Sequence, residues 1–248
     1  MHPLDGAYVR LDRAQEHLVE LETVNNIYLN REARGMADSA SFEVRQVQAN
    51  QVWPTAHLKP IREPIPLILP VLIGETVQNL RTSLDYLVYE LAILNTKTAQ
   101  DGTQFPIEGT PEGFKRRRKT YLKFINPTHI AMIEKLQPCN GVTWTQWLAG
   151  LSNPDKHRHL VVSQSKMRFS ARRLMTTDSP AEPKVGEVTV QLEGWETDNE
   201  TGVTEQCMNM EASLTLFLAF EDGRHVIDTL KEITAQVANT LANFKPEF

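Results

Sequence analysis

The longest uninterrupted helical pattern in the chain runs from Ile73 to Leu94. Ile73, Val77, Leu80, Leu84, Leu87, Val88 and Leu91 fall on one side of a helix that advances about 100° per residue. Glu75, Gln78, Thr82, Asp85 and Tyr89 fall on the other, with Arg81 at the seam beside Asp85. A strand of period two would scatter both sets. Pro64, Pro66 and Pro70 stand ahead of the pattern, and no further proline occurs before Pro106. Prolines are tolerated before a helix or in its first turn but not inside it. Each buried leucine contributes roughly 1.5–3 kcal/mol, so this stripe can anchor a core. Asn79, Arg81, Asp85 and Tyr86 form an unusual polar cluster among its Leu and Val residues.

The same periodicity predicts a first long helix from Tyr8 to Leu29, with Asp5 as N-cap and Gly35 as the stop. Between Ser41 and Val52 the period changes. Phe42 and Val44 alternate, and Val47 follows after a slip, which predicts one strand with a bulge. The proline-rich run from Trp53 to Pro70 has no Gly or Ser tract and reads as a fixed extended crossover. Past the central helix, Phe105-Pro106-Ile107 is a short apolar plug. Thr110-Pro111-Glu112 supplies a cap, a first-position proline and a first-turn acid for another helix. Asn126-Pro127-Thr128 opens a short helix that ends at Pro138 and Gly141. Trp144, Trp147, Leu148 and Leu151 make a hydrophobic turn, and Asn153-Pro154-Asp155 opens a helix carrying Lys156, His157, Arg158 and His159.

After Val162 the pattern becomes β. Met167–Phe169, Glu187–Leu192 and Ser213–Phe220 read as strands, and a final helix places Val226, Ile227, Leu230, Ile233, Val237 and Leu241 on one side. The expected fold class is α+β: an N-terminal helical bundle, a small antiparallel sheet and a C-terminal helix. Residues 1–162 are expected to form a mainly helical core with one early strand near 41–52. Residues 163–248 are expected to add strands and the last helix to that same core as one domain.

Composition narrows the function classes. The 248 residues are 41% hydrophobic and 23% charged, as in ordinary globular proteins. The net charge of -5 means that nucleic-acid binding would need a local basic patch. Cys139 and Cys207 form no CxxC, which argues against a disulfide framework or a Cys-rich zinc site. The first residues carry no apolar leader core, and the apolar run Ile65–Gly74 is short and broken by proline. A cytoplasmic chain without a membrane span is the expectation. The basic run from Lys115 to Lys119 reads either as a solvated face or as a phosphate-contacting patch with Tyr121 and Phe124 available for stacking.

No phosphate-binding glycine loop, HExxH or G-x-S-x-G motif occurs. Candidate chemistry reduces to two clusters: Asn79/Arg81/Asp85/Tyr86, and Asn153/Asp155/Lys156/His157/Arg158/His159. Asp155 and His159, four apart, share a helical face and suit general acid/base work. They are also half of a metal site, but no third ligand stands out, and neither a metal nor a cofactor is expected.

These two segments resemble an uncharacterised bacterial and phage-associated family with a GD-x-x-x-NLR-x-x-LDHL-type helix and a later N-x-DKHR segment. Gly74-Glu75, Asn79-Leu80-Arg81 and Leu84-Asp85-Tyr86-Leu87 carry the first motif, and Asn153-Pro154-Asp155-Lys156-His157-Arg158 carries the second. The first motif is similar in turn to that of HEPN-type helical domains. Many of those are metal-independent ribonucleases or RNA-binding modules, usually working as dimers, with an Arg and a His on one helix. The resemblance implies a HEPN-like homodimer that engages RNA. Arg81 would hold phosphate and His157 or His159 would move the proton. Asn79, Asp85, Tyr86, Asn153, Asp155, Lys156 and Arg158 would line the binding site, and Lys115 to Lys119 would extend the track. The chain departs from that pattern at Tyr86, which stands where the histidine belongs. A tyrosine with a pKa near 10 is a poor base at neutral pH. Either His157 or His159 replaces the imidazole, or the site only binds. The alternative is a non-catalytic interaction or accessory protein in which Arg81, Asp85 and His157 belong to a structural polar network.

Overall fold

The computed structural model describes residues 2–38, 41–48, 51–57, 64–152, 162–173, 184–197, 200–201 and 204–248. Its elements in order are α1 (Asp5–Asp38), β1 (Ser41–Gln48), β2 (Gln51–His57), α2 (Ile68–Thr96), α3 (Pro111–Tyr121), α4 (Pro127–Lys135) and α5 (Thr143–Ser152), with a 3-10 turn at Pro138–Asn140 between α4 and α5. β3 (Val162–Arg173), β4 (Glu187–Thr197), β5 (Thr204–Phe220) and α6 (Val226–Phe244) follow. The class is α+β.

Contacts divide the chain into two units. One comprises residues 1–22, 67–162 and 224–248, and the other residues 23–66 and 163–223. This grouping departs from chain order. The early β residues belong with the later strands, and the last helix belongs with the helical unit. α1 is continuous and contributes a segment to each.

In the helical unit, α2 packs against α5 and α6, and α5 against α6. The stripe of α2 is the centre of the core: Ile73, Val77, Leu80, Leu84, Leu87, Val88 and Leu91 are all fully buried. α2 begins five residues ahead of the predicted start, because Pro70 sits in its first turn, where a missing N–H breaks no helical bond. On α6, Val226, Leu230, Ile233, Val237 and Leu241 are buried. Thr110 caps α3 by accepting from the Gly113 N–H at 3.1 Å, with Pro111 at the first position. Asn126 caps α4 by accepting from the His129 N–H at 2.8 Å. Both N-terminal signals therefore act as the residue types predict.

In the other unit a five-stranded sheet has the order β1-β2-β4-β5-β3. β1/β2, β2/β4 and β4/β5 are antiparallel. The expected single strand near 41–52 is instead a hairpin, with a register shift between Gln46 and Gln48 where the pattern slips. Part of the expected crossover is strand as well, and Pro54 stands opposite Val44. Val52, Trp53 and Thr55 favour an extended backbone around that proline. Gly35 does not stop α1, which continues to Asp38 with Ala33 buried before the glycine and Met36 buried beyond it. A glycine inside a helix costs only about 1 kcal/mol relative to alanine, less than the burial of those side chains returns. Gly186 ties α1 to the sheet. Its N–H donates to Asn30 Oδ1 at 2.8 Å, its φ is +67°, and a Cβ there would lie 3.1 Å from Leu29 Cβ.

No helix among the described residues is long and apolar enough to cross a membrane.

Candidate functional site

Both polar groups of the Phe105 main chain are held by α2. The Phe105 N–H donates to Asp85 Oδ1 at 2.8 Å, and Arg81 Nη2 donates to the Phe105 carbonyl. Arg81 Nη2 and Asp85 Oδ1 lie 3.6 Å apart across one helical turn. The Phe105 side chain itself is fully buried. The physical reason for the arrangement is the irregular backbone at 105–108. A buried segment outside helix and sheet must find partners for its N–H and C=O groups, and Pro106 offers no N–H of its own. Farther along, the Glu108 N–H donates to Gln137 Oε1 at 3.0 Å, and the Glu108 carbonyl accepts from the Cys139 N–H at 3.3 Å. Gln137 is wholly buried, and its Nε2 donates to the Ile133 carbonyl at 3.1 Å.

Burial also sets the electrostatics of the pair. It lowers the Arg81 pKa, opposed by the nearby Asp85 and, more weakly, by Tyr121. It raises the Asp85 pKa, opposed first by Arg81 and then by the Phe105 N–H. Desolvation thus disfavours each charge and outweighs the pairing and, at Asp85, the Phe105 N–H, which oppose it.

Asn79 and Tyr86 face elsewhere. They are seven residues apart, so they lie within about 20° of each other around the helix, and both meet α1. Arg10 Nη1 donates to Asn79 Oδ1 at 3.4 Å, and the Arg10 guanidinium carbon lies 5.9 Å from the Tyr86 ring centroid. The Tyr86 ring rests on Gly6, where a Cβ would come within 3.1 Å of it. Beside this contact, Ser83 Oγ donates to the Ala7 carbonyl at 2.9 Å. Arg81 and Tyr86 are five residues apart and therefore about 140° apart around α2. The four polar residues of α2 serve two different neighbours and do not converge on one site. Asn153, Asp155, Lys156, His157, Arg158 and His159 lie outside the described residues.

The basic helix α3 is the other feature. All five side chains from Lys115 to Lys119 are exposed. Arg117 is committed locally: its Nε donates to Glu108 Oε1 at 3.0 Å and its Nη1 to the Tyr121 hydroxyl at 3.1 Å. Among the described residues no ion pair is formed by Lys115, Arg116, Arg118 or Lys119. Arg118 and Lys119 complement the negative end of the helix dipole. Lys115 and Lys119, four apart, repel, as like charges at that spacing do.

Sequence reasoning missed Phe105, Glu108 and Gln137 as partners. The available signal was the apolar plug itself, a buried run with a proline whose backbone needed partners from somewhere. Among the described residues, no group of three or more His, Cys, Asp or Glu side chains is arranged to hold a metal ion. Comparison with protein-family models, curated proteins and solved structures finds no match.

Proposed function

We propose that this chain is a non-catalytic, HEPN-like binding protein that engages RNA through the exposed cations of α3, while Arg81 and Asp85 serve its fold. The observation that carries this reading is the bracketing of Phe105 by those two side chains. Arg81 donates from Nη2 to its own chain, beside a carboxylate that accepts from the same residue, and only 14% of its side chain is exposed. Phosphate at Arg81 would have to approach Asp85 as well. Tyr86 adds to the argument, since it faces Gly6 and Arg10 rather than Arg81.

RNA is favoured as the partner by charge. Five exposed cations in consecutive positions, four of them without an ion pair among the described residues, concentrate positive potential along one helix of a chain of net charge -5. Contacts to phosphate supply most sequence-independent affinity for nucleic acid. The homodimer implied by the resemblance is part of the same reading.

Fluorescence anisotropy with a labelled RNA strand, across a salt series, tests it. Binding should weaken with salt, and replacing Lys115, Arg116, Arg118 and Lys119 together by Gln should remove it. Each lost single-strand phosphate contact should flatten the log–log salt slope by about 0.7. Arg81→Ala, assayed below its melting temperature, should still bind, and the intact protein should leave the RNA uncut. RNA cleavage that disappears in Arg81→Ala would instead establish the catalytic alternative.

A further inference from the structure

We infer that Arg117 is a stacking platform for an unpaired base of single-stranded RNA, an inference that rests on the reading of α3 as the RNA-binding surface. Arg117 differs from the four cations around it in being fixed. Glu108 Oε1 and the Tyr121 hydroxyl accept from two of its nitrogens at 3.0 and 3.1 Å, and its guanidinium carbon lies 5.0 Å from the Tyr121 ring centroid. The partner that orients it is fixed in turn, because the Glu108 main chain is tied to Gln137 and Cys139. Yet the Arg117 side chain remains 45% exposed.

This combination is unlike an ordinary surface arginine. A free arginine side chain loses rotamer freedom when a ligand immobilises it. Here the contacts with Glu108 and Tyr121 have already restricted the group, so a ligand meets a pre-organised plane. The charge of Arg117 is largely answered by Glu108, so its value to a polyanion lies in the planar surface rather than the charge. Unpaired bases stack on guanidinium planes and aromatic rings, whereas bases in a duplex are already stacked on each other. Arg116 and Arg118, each about 100° from Arg117 around the helix, flank the platform and supply the nearest phosphate contacts, while Lys115 and Lys119 lie about 160° away. The alternation of cation and ring continues past the helix end, where Lys123 Nζ lies 4.5 Å from the Phe124 ring centroid. Asn95 Nδ2 holds the Phe124 carbonyl at 2.9 Å.

The test compares a labelled oligoadenylate strand with an RNA duplex, using the full chain. Arg117→Lys keeps the charge and removes the plane. It should weaken strand binding roughly fivefold or more while leaving duplex binding and the salt slope unchanged. Tyr121→Leu removes the ring that supports the guanidinium and should weaken strand binding in the same selective way. Melting curves of both variants check that the fold persists. If both variants bind the strand as the wild type does while joint replacement of Lys115, Arg116, Arg118 and Lys119 by Gln weakens strand and duplex alike, the platform is overturned and the reading of α3 stands. If that joint replacement also changes nothing, that reading fails with it.

Discussion

Asp85 accepts the main-chain N–H of Phe105 at 2.8 Å, a bond that joins the middle of α2 to a buried segment twenty residues farther along the chain. Arg81, one turn earlier, takes the carbonyl of the same residue. Removing either side chain strands a polar group of a residue that is fully buried. Asp85→Ala and Arg81→Ala should each lower stability by about 1–3 kcal/mol, the usual cost of an unsatisfied buried group. The two effects should be non-additive, because both changes release the same segment. Urea denaturation of the two single variants and the double variant checks this.

The pH dependence of that clamp has a definite sign. Burial raises the folded-state pKa of Asp85 above its unfolded value, so between those two values the folded state holds more protons. The contribution of this group to stability is therefore greatest below the unfolded pKa and declines as pH rises through the raised one. Asp85→Asn does not titrate there. The stability of the wild type relative to Asp85→Asn should fall as pH climbs from about 4, and denaturation of both proteins in a pH series measures it. A relative stability that rises over that range would contradict the assignment.

The position of Tyr86 makes a functional prediction. Placing a histidine at this position with Tyr86→His should create no RNA-cleaving activity, because the new imidazole would face Gly6 and Arg10. A gel assay with a labelled RNA strand reads this directly. Gly6→Ala tests the same contact through stability. A Cβ at 3.1 Å crowds the Tyr86 ring, so the helix-propensity gain of up to about 1 kcal/mol should emerge only in a Tyr86→Ala background.

How much of this was legible in the sequence depends on what each residue touches. The stripe of α2 and the caps Thr110 and Asn126 could be read directly, because side-chain period and cap chemistry are local. Gly35 misled, since a glycine marks a stop only when nothing beyond it is buried, and Met36 is buried. The hairpin is hard to read from sequence because Pro54 marks a break in a strand pattern, although in the ladder it stands opposite Val44. At the candidate site, the oddity of Arg81 and Asp85 among leucines was plain. Their partner was not, because they bind the backbone of Phe105, and a peptide group leaves no signature in residue type. Asn79 and Tyr86 stand close to them in sequence, but helical geometry turns them toward α1.

Gln137 offers a check on the rest of the segment. Wholly buried, it accepts from the Glu108 N–H and donates to the Ile133 carbonyl. Gln137→Leu preserves bulk but leaves the Glu108 N–H without its acceptor, and should cost about 1–3 kcal/mol. Because Glu108 also orients Arg117, the same variant should weaken strand binding more than duplex binding in the anisotropy assay.

Amide hydrogen exchange at Phe105 tests the clamp most directly. In the wild type this amide should be strongly protected, since its acceptor is a partly buried carboxylate in the middle of α2. In Asp85→Ala its protection should collapse, while the amides of Leu84 and Leu87 within α2 remain slow. A Phe105 amide that exchanges freely in the wild type, or that stays equally protected in Asp85→Ala, would contradict the structural role assigned to Arg81 and Asp85.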